Sequence, residues 1–187
     1  MKGLEFFKSK NLSRDNSYKE LEKIFDFSSI PFFKLFISSF ELGNSNMKSH
    51  QFLEVKFNNV VPCGSVLINS EAISGEYFFS GFFNENELMN DWESYSIDSH
   101  EFLEYGLVRI GEIGIGGGIF IGTKEEKKDR IYLVNWGLDE DYILISDNIF
   151  EFARLLIFVE DKSNMENNQE YSQFYKNWTE NFWRVKE

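Results

Sequence analysis

Leu107-Val108-Arg109-Ile110, Gly118-Ile119-Phe120-Ile121-Gly122, Ile131-Tyr132-Leu133-Val134-Asn135-Trp136 and Tyr142-Ile143-Leu144-Ile145 follow one another between Gly106 and Leu156. Each run is too short and too rich in β-branched and aromatic residues for a helix, and each is bounded by turn chemistry, so four strands are predicted. The segment Gly111 to Gly118 contains five glycines and reads as a turn feeding the second strand. Lys124-Glu125-Glu126-Lys127-Lys128-Asp129-Arg130 is wholly charged and reads as a solvated hairpin loop, and Gly137 to Asp141 reads as the next turn. Ser146, Asp147 and Asn148 then offer acceptors for a helix N-terminus, and Asn148 with Glu151 has capping-box spacing. Ile149, Phe152, Ala153 and Leu156 recur on one helical face. The expected fold class is α+β: an antiparallel meander closed by a helix, with little room for a catalytic loop.

Towards the N-terminus, Tyr18 to Phe25 reads as a charged helix, after which Ser28-Ser29-Ile30-Pro31 restarts the chain. Pro31 suits a first helical turn, where its missing N–H is not needed, and the preceding serines can cap. Phe32, Phe33, Phe36, Ile37 and Phe40 form an apolar stripe at helical spacing, and Gly43 supplies a stop.

Leu21-Glu22-Lys23 followed by Ile30-Pro31, Phe33 and Phe36-Ile37 resembles the opening of the SUKH superfamily, whose members begin with an acidic helix and a Leu-Pro turn into an aromatic helix. Val108-Arg109-Ile110-Gly111 with its glycines, Arg130-Ile131-Tyr132-Leu133-Val134, and Ser146-Asp147-Asn148-Ile149-Phe150-Glu151-Phe152 are similar to that family's closing strands and helix start. The resemblance spans roughly Tyr18 to Leu156 and is thinnest in the middle. Gly43-Asn44 stands in place of the family's glycine pair, and Ile149 in place of the usual phenylalanine. The resemblance implies a SUKH-like domain, an antiparallel sheet flanked by N-terminal and C-terminal helices, used for protein binding and not as an enzyme. Its best-known role is that of a bacterial immunity protein neutralising a cognate toxin of a polymorphic or contact-dependent inhibition system. The same superfamily includes Smi/Knr-like regulators, so the alternative it implies is a regulatory scaffold that recruits a cellular partner protein.

A chain of 187 residues can bury a sizeable core as one domain. The expected core covers about residues 18–160, with an aromatic helical extension at about 169–185. One cysteine, Cys63, excludes an internal disulfide, and charge interrupts the N-terminal apolar residues before they reach signal-peptide form. A cytoplasmic location without membrane attachment is expected. Twenty-one phenylalanines and two prolines indicate an aromatic core.

The charge is unevenly spread. From Phe57 through Val108 there are nine acids and no lysine or arginine, which leaves 22 acids against 19 bases for the rest of a chain of net −12. Glu85, Glu87, Asp91, Glu93, Asp98, Glu101 and Glu104 crowd one part of it, with Trp92, Tyr95 and Phe102 between them. Such a segment is either a solvated acidic face or a surface that attracts a basic partner and anchors on it. On the second reading Glu85, Glu87, Asp91, Trp92, Glu93, Tyr95, Asp98, Glu101 and Glu104 are the partner-binding residues, and the partner is a toxin with a basic surface such as the nucleic-acid groove of a nuclease. Direct nucleic-acid binding is disfavoured, because phosphates need a basic footprint.

Other patterns carry less. The glycines of Gly111 to Gly118 precede a strand, whereas a dinucleotide fingerprint needs a helix there. His50 and His100 belong to no ligand-spaced cluster, and Cys63 has no evident cation to activate it, so neither a metal nor a cofactor is expected. Beyond Leu156, the residues Asp161 to Asn168 read as a polar linker. Tyr171, Phe174, Tyr175, Trp178 and Phe182 then recur at helical spacing with Trp183 beside them, a stripe that either docks on its own domain or meets a partner.

Overall fold

The computed structural model describes residues 20–40, 42, 64–98, 105–114, 116–135 and 142–160. After a short 3-10 turn at Leu21–Lys23 come helix α1 (Pro31–Ser39), strands β1 (Gly64–Ile68) and β2 (Tyr77–Phe82), and helix α2 (Glu85–Asp98). The second half runs β3 (Leu107–Ile113), β4 (Gly117–Gly122), β5 (Ile131–Asn135), β6 (Ile143–Ser146), α3 (Ile149–Leu155) and β7 (Leu156–Glu160). The strands form one antiparallel sheet in the order β6-β5-β4-β3-β2-β1-β7. An α+β fold is therefore present, with the meander from β1 to β6 continuous and β7 returning to the far edge beside β1. Among the described residues no helix is long and apolar enough to cross a membrane.

Period-two alternation gives the central strands two buried faces. Ile119 and Ile121 of β4 and Ile131 and Leu133 of β5 point into the main core, where Phe33, Phe36 and Ile37 of α1 and Ile149, Phe152 and Ala153 of α3 cover them. Phe120, Tyr132 and Val134 point the other way, with Leu107 and Tyr142. Fully burying each such side chain contributes roughly 1.5–3 kcal/mol. Phenylalanine rings meet at the centre: Phe79 lies 4.9 Å from Phe82 and 5.4 Å from Phe152, and Phe36 lies 5.5 Å from Phe82, all edge to face.

Several local expectations change. The glycine-rich stretch is shorter as a turn than its composition suggests, because β3 runs through Gly111 to Ile113. A Cβ at Gly111 would lie 2.6 Å from the Gly81 carbonyl oxygen, so this glycine serves close strand approach at a bulge. The positive φ expected within the segment falls at Gly116 (+73°) and Gly117 (+150°). β6 is offset by one residue from the predicted Tyr142–Ile145, Leu156 opens β7 instead of continuing the helix, and Trp136 lies outside the described residues. Asn148 caps α3 as expected, accepting from the Phe150 and Glu151 N–H groups at 3.0 Å. Glu151 does not return the bond of a capping box; its carboxylate pairs with Arg154.

At α1 the correction is larger. The residue before Pro31 is Ile30, which has no side-chain cap, and Ser28 and Ser29 bond to Asp26 instead. The first turn is capped by Asp129, whose two carboxylate oxygens accept the Phe32 and Phe33 N–H groups at 3.0 Å each. The all-charge hairpin is thus not wholly solvated: Asp129, at 6% exposure and φ +64°, is turned into the fold. Phe32, expected in the apolar stripe, is 49% exposed, as is Leu35 at 55%. Of the predicted helix at Tyr18 to Phe25, only the 3-10 turn falls among the described residues, and Gly43 and the segment from Asp161 onward lie outside them.

Candidate partner-binding surface

The acidic segment is organised by α2, which carries five acids and no base. Asn84 and Glu87 start it with a reciprocal capping box: Asn84 Oδ1 accepts the Glu87 N–H at 2.9 Å and Glu87 Oε2 accepts the Asn84 N–H at 2.8 Å. Glu85 and Glu87 in the first turn also complement the positive end of the helix dipole. Leu88 is buried, and Met89 and Trp92 pack partly buried against the main core, which fixes the inward face.

One ion pair fastens this helix to the sheet. Arg109 of β3 donates to Asp91 Oδ1 at 3.1 Å and to the Gly117 carbonyl at 2.9 Å, with Glu112 at 3.6 Å. The Arg109 guanidinium carbon lies 5.1 Å from the Phe83 ring centre. Both side chains of the pair are mostly buried, at 14% and 16% exposure. Burial pushes the Asp91 carboxyl above its ordinary value, against the opposing pull of Arg109. Gly118 makes the crossing possible, since a Cβ there would lie 2.6 Å from Arg109 Nε.

The nine residues singled out from the sequence therefore separate. Glu85 and Glu93 are exposed on α2. Glu87 and Asp91 have internal partners in the cap and the ion pair, and Trp92 is half buried as part of the helix seat. Tyr95 and Asp98 lie in the last turns of α2, with side chains outside the description, and Glu101 and Glu104 lie outside the described residues, as do His50, Cys63 and His100. Arg109 and Asp129 are the organising charges that sequence reasoning passed over. Each left a signal: Arg109 is a lone charge within an apolar strand, and α1 begins at Ile30-Pro31 with no cap beside it.

Among the described residues no group of three or more histidine, cysteine or acidic side chains is placed to hold a metal ion. No protein-family model matches the chain, and no curated protein matches it.

Proposed function

We propose that this chain is a SUKH-like protein-binding domain acting as a cytoplasmic immunity protein, which neutralises a cognate bacterial toxin by covering a basic active or substrate-binding surface. The observation that carries the reading is α2: a helix without a single base, seated on the sheet through Leu88, Trp92 and the Asp91–Arg109 pair, and presenting Glu85 and Glu93 outward. A rigid mount limits the entropy lost on association, and the acidic excess of the Phe57–Val108 region draws in a basic partner over roughly the 8–10 Å of physiological screening. The aromatic α1 and the closing strands and helix support the superfamily reading through the motifs they carry. The action is occlusion, not catalysis.

The test uses a toxin domain encoded next to this chain, with protection of growing cells and binding kinetics at several salt concentrations as readouts. Joint replacement Glu85→Lys and Glu93→Lys should slow association by about tenfold and flatten its salt dependence, with the dissociation rate little changed. Unchanged kinetics and protection would remove α2 from the interface. A chain that protects against no toxin and instead recruits a cellular protein is the regulatory scaffold.

A further inference from the structure

On the opposite side of the sheet from α1 and α3, Tyr105, Tyr132 and Tyr142 form an aromatic corner. Tyr142 stands edge-on to Tyr132 at 5.5 Å, and the Tyr105 and Tyr142 rings are 5.7 Å apart with a tilt of 52°. The ammonium of Lys127 lies 5.6 Å from the Tyr142 ring centre and 6.0 Å from that of Tyr105. Lys127 takes part in no ion pair among the described residues, although Glu125 and Glu126 precede it in the same turn. Its charge is met by ring faces.

The corner is pre-shaped by the backbone. A Cβ at Gly122 would lie 1.9 Å from the Lys127 carbonyl oxygen, and one at Gly106, beside Tyr105, would lie 2.7 Å from Lys124 Cβ. The Thr123 N–H donates to the Gly106 carbonyl at 2.8 Å. Tyr105 and Lys127 are therefore tied to the same hairpin, and neither ring pair nor lysine depends on the other to stay in place. Tyr105 keeps 38% exposure and Lys127 is only half buried, so the corner opens to solvent.

We propose that the Tyr105–Tyr142 corner is a receptor for the cationic side chain of a partner protein, with Lys127 as its resident occupant. This deepens the reading of a basic partner and rests on it for the partner's identity, whereas the ligand chemistry stands by itself. A net charge of −12 makes a cation the favoured visitor. An exposed ammonium–ring contact is worth about 0.5–1 kcal/mol, so the resident lysine lowers a visitor's affinity by only about two- to fivefold.

Choline and its neutral isostere 3,3-dimethylbutan-1-ol test the site without any toxin, followed by the tyrosine ring signals in NMR titrations. Choline should bind the parent weakly and Lys127→Gln about two- to fivefold more tightly, and it should lose binding to Lys127→Gln when Tyr105→Leu is added. The neutral isostere should not bind. Absence of choline binding to Lys127→Gln, or equal binding of the isostere, overturns the proposal. Either result leaves toxin neutralisation through α2 untouched, and failure of α2 in the toxin assay leaves the choline result standing.

Discussion

With Pro31 at the first helical position and Ile30 before it, α1 has no local side chain to accept its leading N–H groups, and Asp129 accepts two of them from a hairpin far along the chain. Asp129→Ala should lower stability by about 1–2 kcal/mol, the loss of a good cap. Asp129→Asn should lower it less, since asparagine tolerates the left-handed backbone and keeps one acceptor. The pH dependence separates the two effects. Burial outweighs the two N–H bonds and holds the carboxyl above its ordinary 3.8. A raised value means that the folded state binds the proton more tightly, so this group's contribution is full below 3.8 and is lost as pH rises through the folded value. Melting temperatures between about pH 3 and pH 7 should therefore show the parent losing ground to Asp129→Asn as pH rises; a parallel pair of curves would contradict this. At Gly117 the expectation is simpler. Valine there must adopt φ +150° and meet the Val134 carbonyl oxygen, which lies 2.2 Å from the position of its Cβ, so a loss on the order of 1–3 kcal/mol or more should appear in chemical denaturation. Glycine content made a strained turn legible from sequence, whereas nothing in a run of seven charged residues distinguishes the one that turns inward.

At the scale of elements, α2 depends on a small seat. Leu88→Ala should cost about 2–5 kcal/mol, as for other buried leucines. Arg109→Leu leaves Asp91 without its guanidinium and should destabilise by about 3 kcal/mol, while Arg109→Leu with Asp91→Leu should recover much of that loss; the double-mutant cycle, read by denaturant unfolding, checks it. The four central strands and α3 were readable because β-branched runs alternate with turn residues and Asn148 sits at the helix start. α2 was read only as a distribution of charge. Leu88, Met89 and Trp92 are too few to display a helical period, and the Asn84–Glu87 box was the signal that marked its beginning. The functional reading suffers from the same limit: carboxylates counted along the chain look alike, and only the packing shows that Glu87 and Asp91 face inward partners while Glu85 and Glu93 face outward.

At the scale of the molecule, the sheet is completed by a strand that no local pattern connects to its neighbour. Leu156 to Glu160 follows α3 without a break and reads as its continuation, yet it pairs with β1 from Gly64↔Glu160 to Ile68↔Leu156. A short apolar run does not announce its partner, so the order β2-β1-β7 was not legible while the meander from β3 to β6 was. A chain ending at Leu155 should lose its cooperative melt, because β1 then keeps β2 as its only sheet neighbour; a sharp thermal transition in that chain would show β7 to be dispensable. The same closure governs how fast the molecule can form. Residues nearly a hundred positions apart must find each other both at the β1–β7 edge and where Asp129 meets α1, so loop entropy is lost before either contact repays it, and folding belongs in the millisecond-to-second range of non-local β topologies. During synthesis β1 emerges early and waits with one bare edge until β7 follows, which makes the growing chain, more than the finished one, the form most exposed to misassociation.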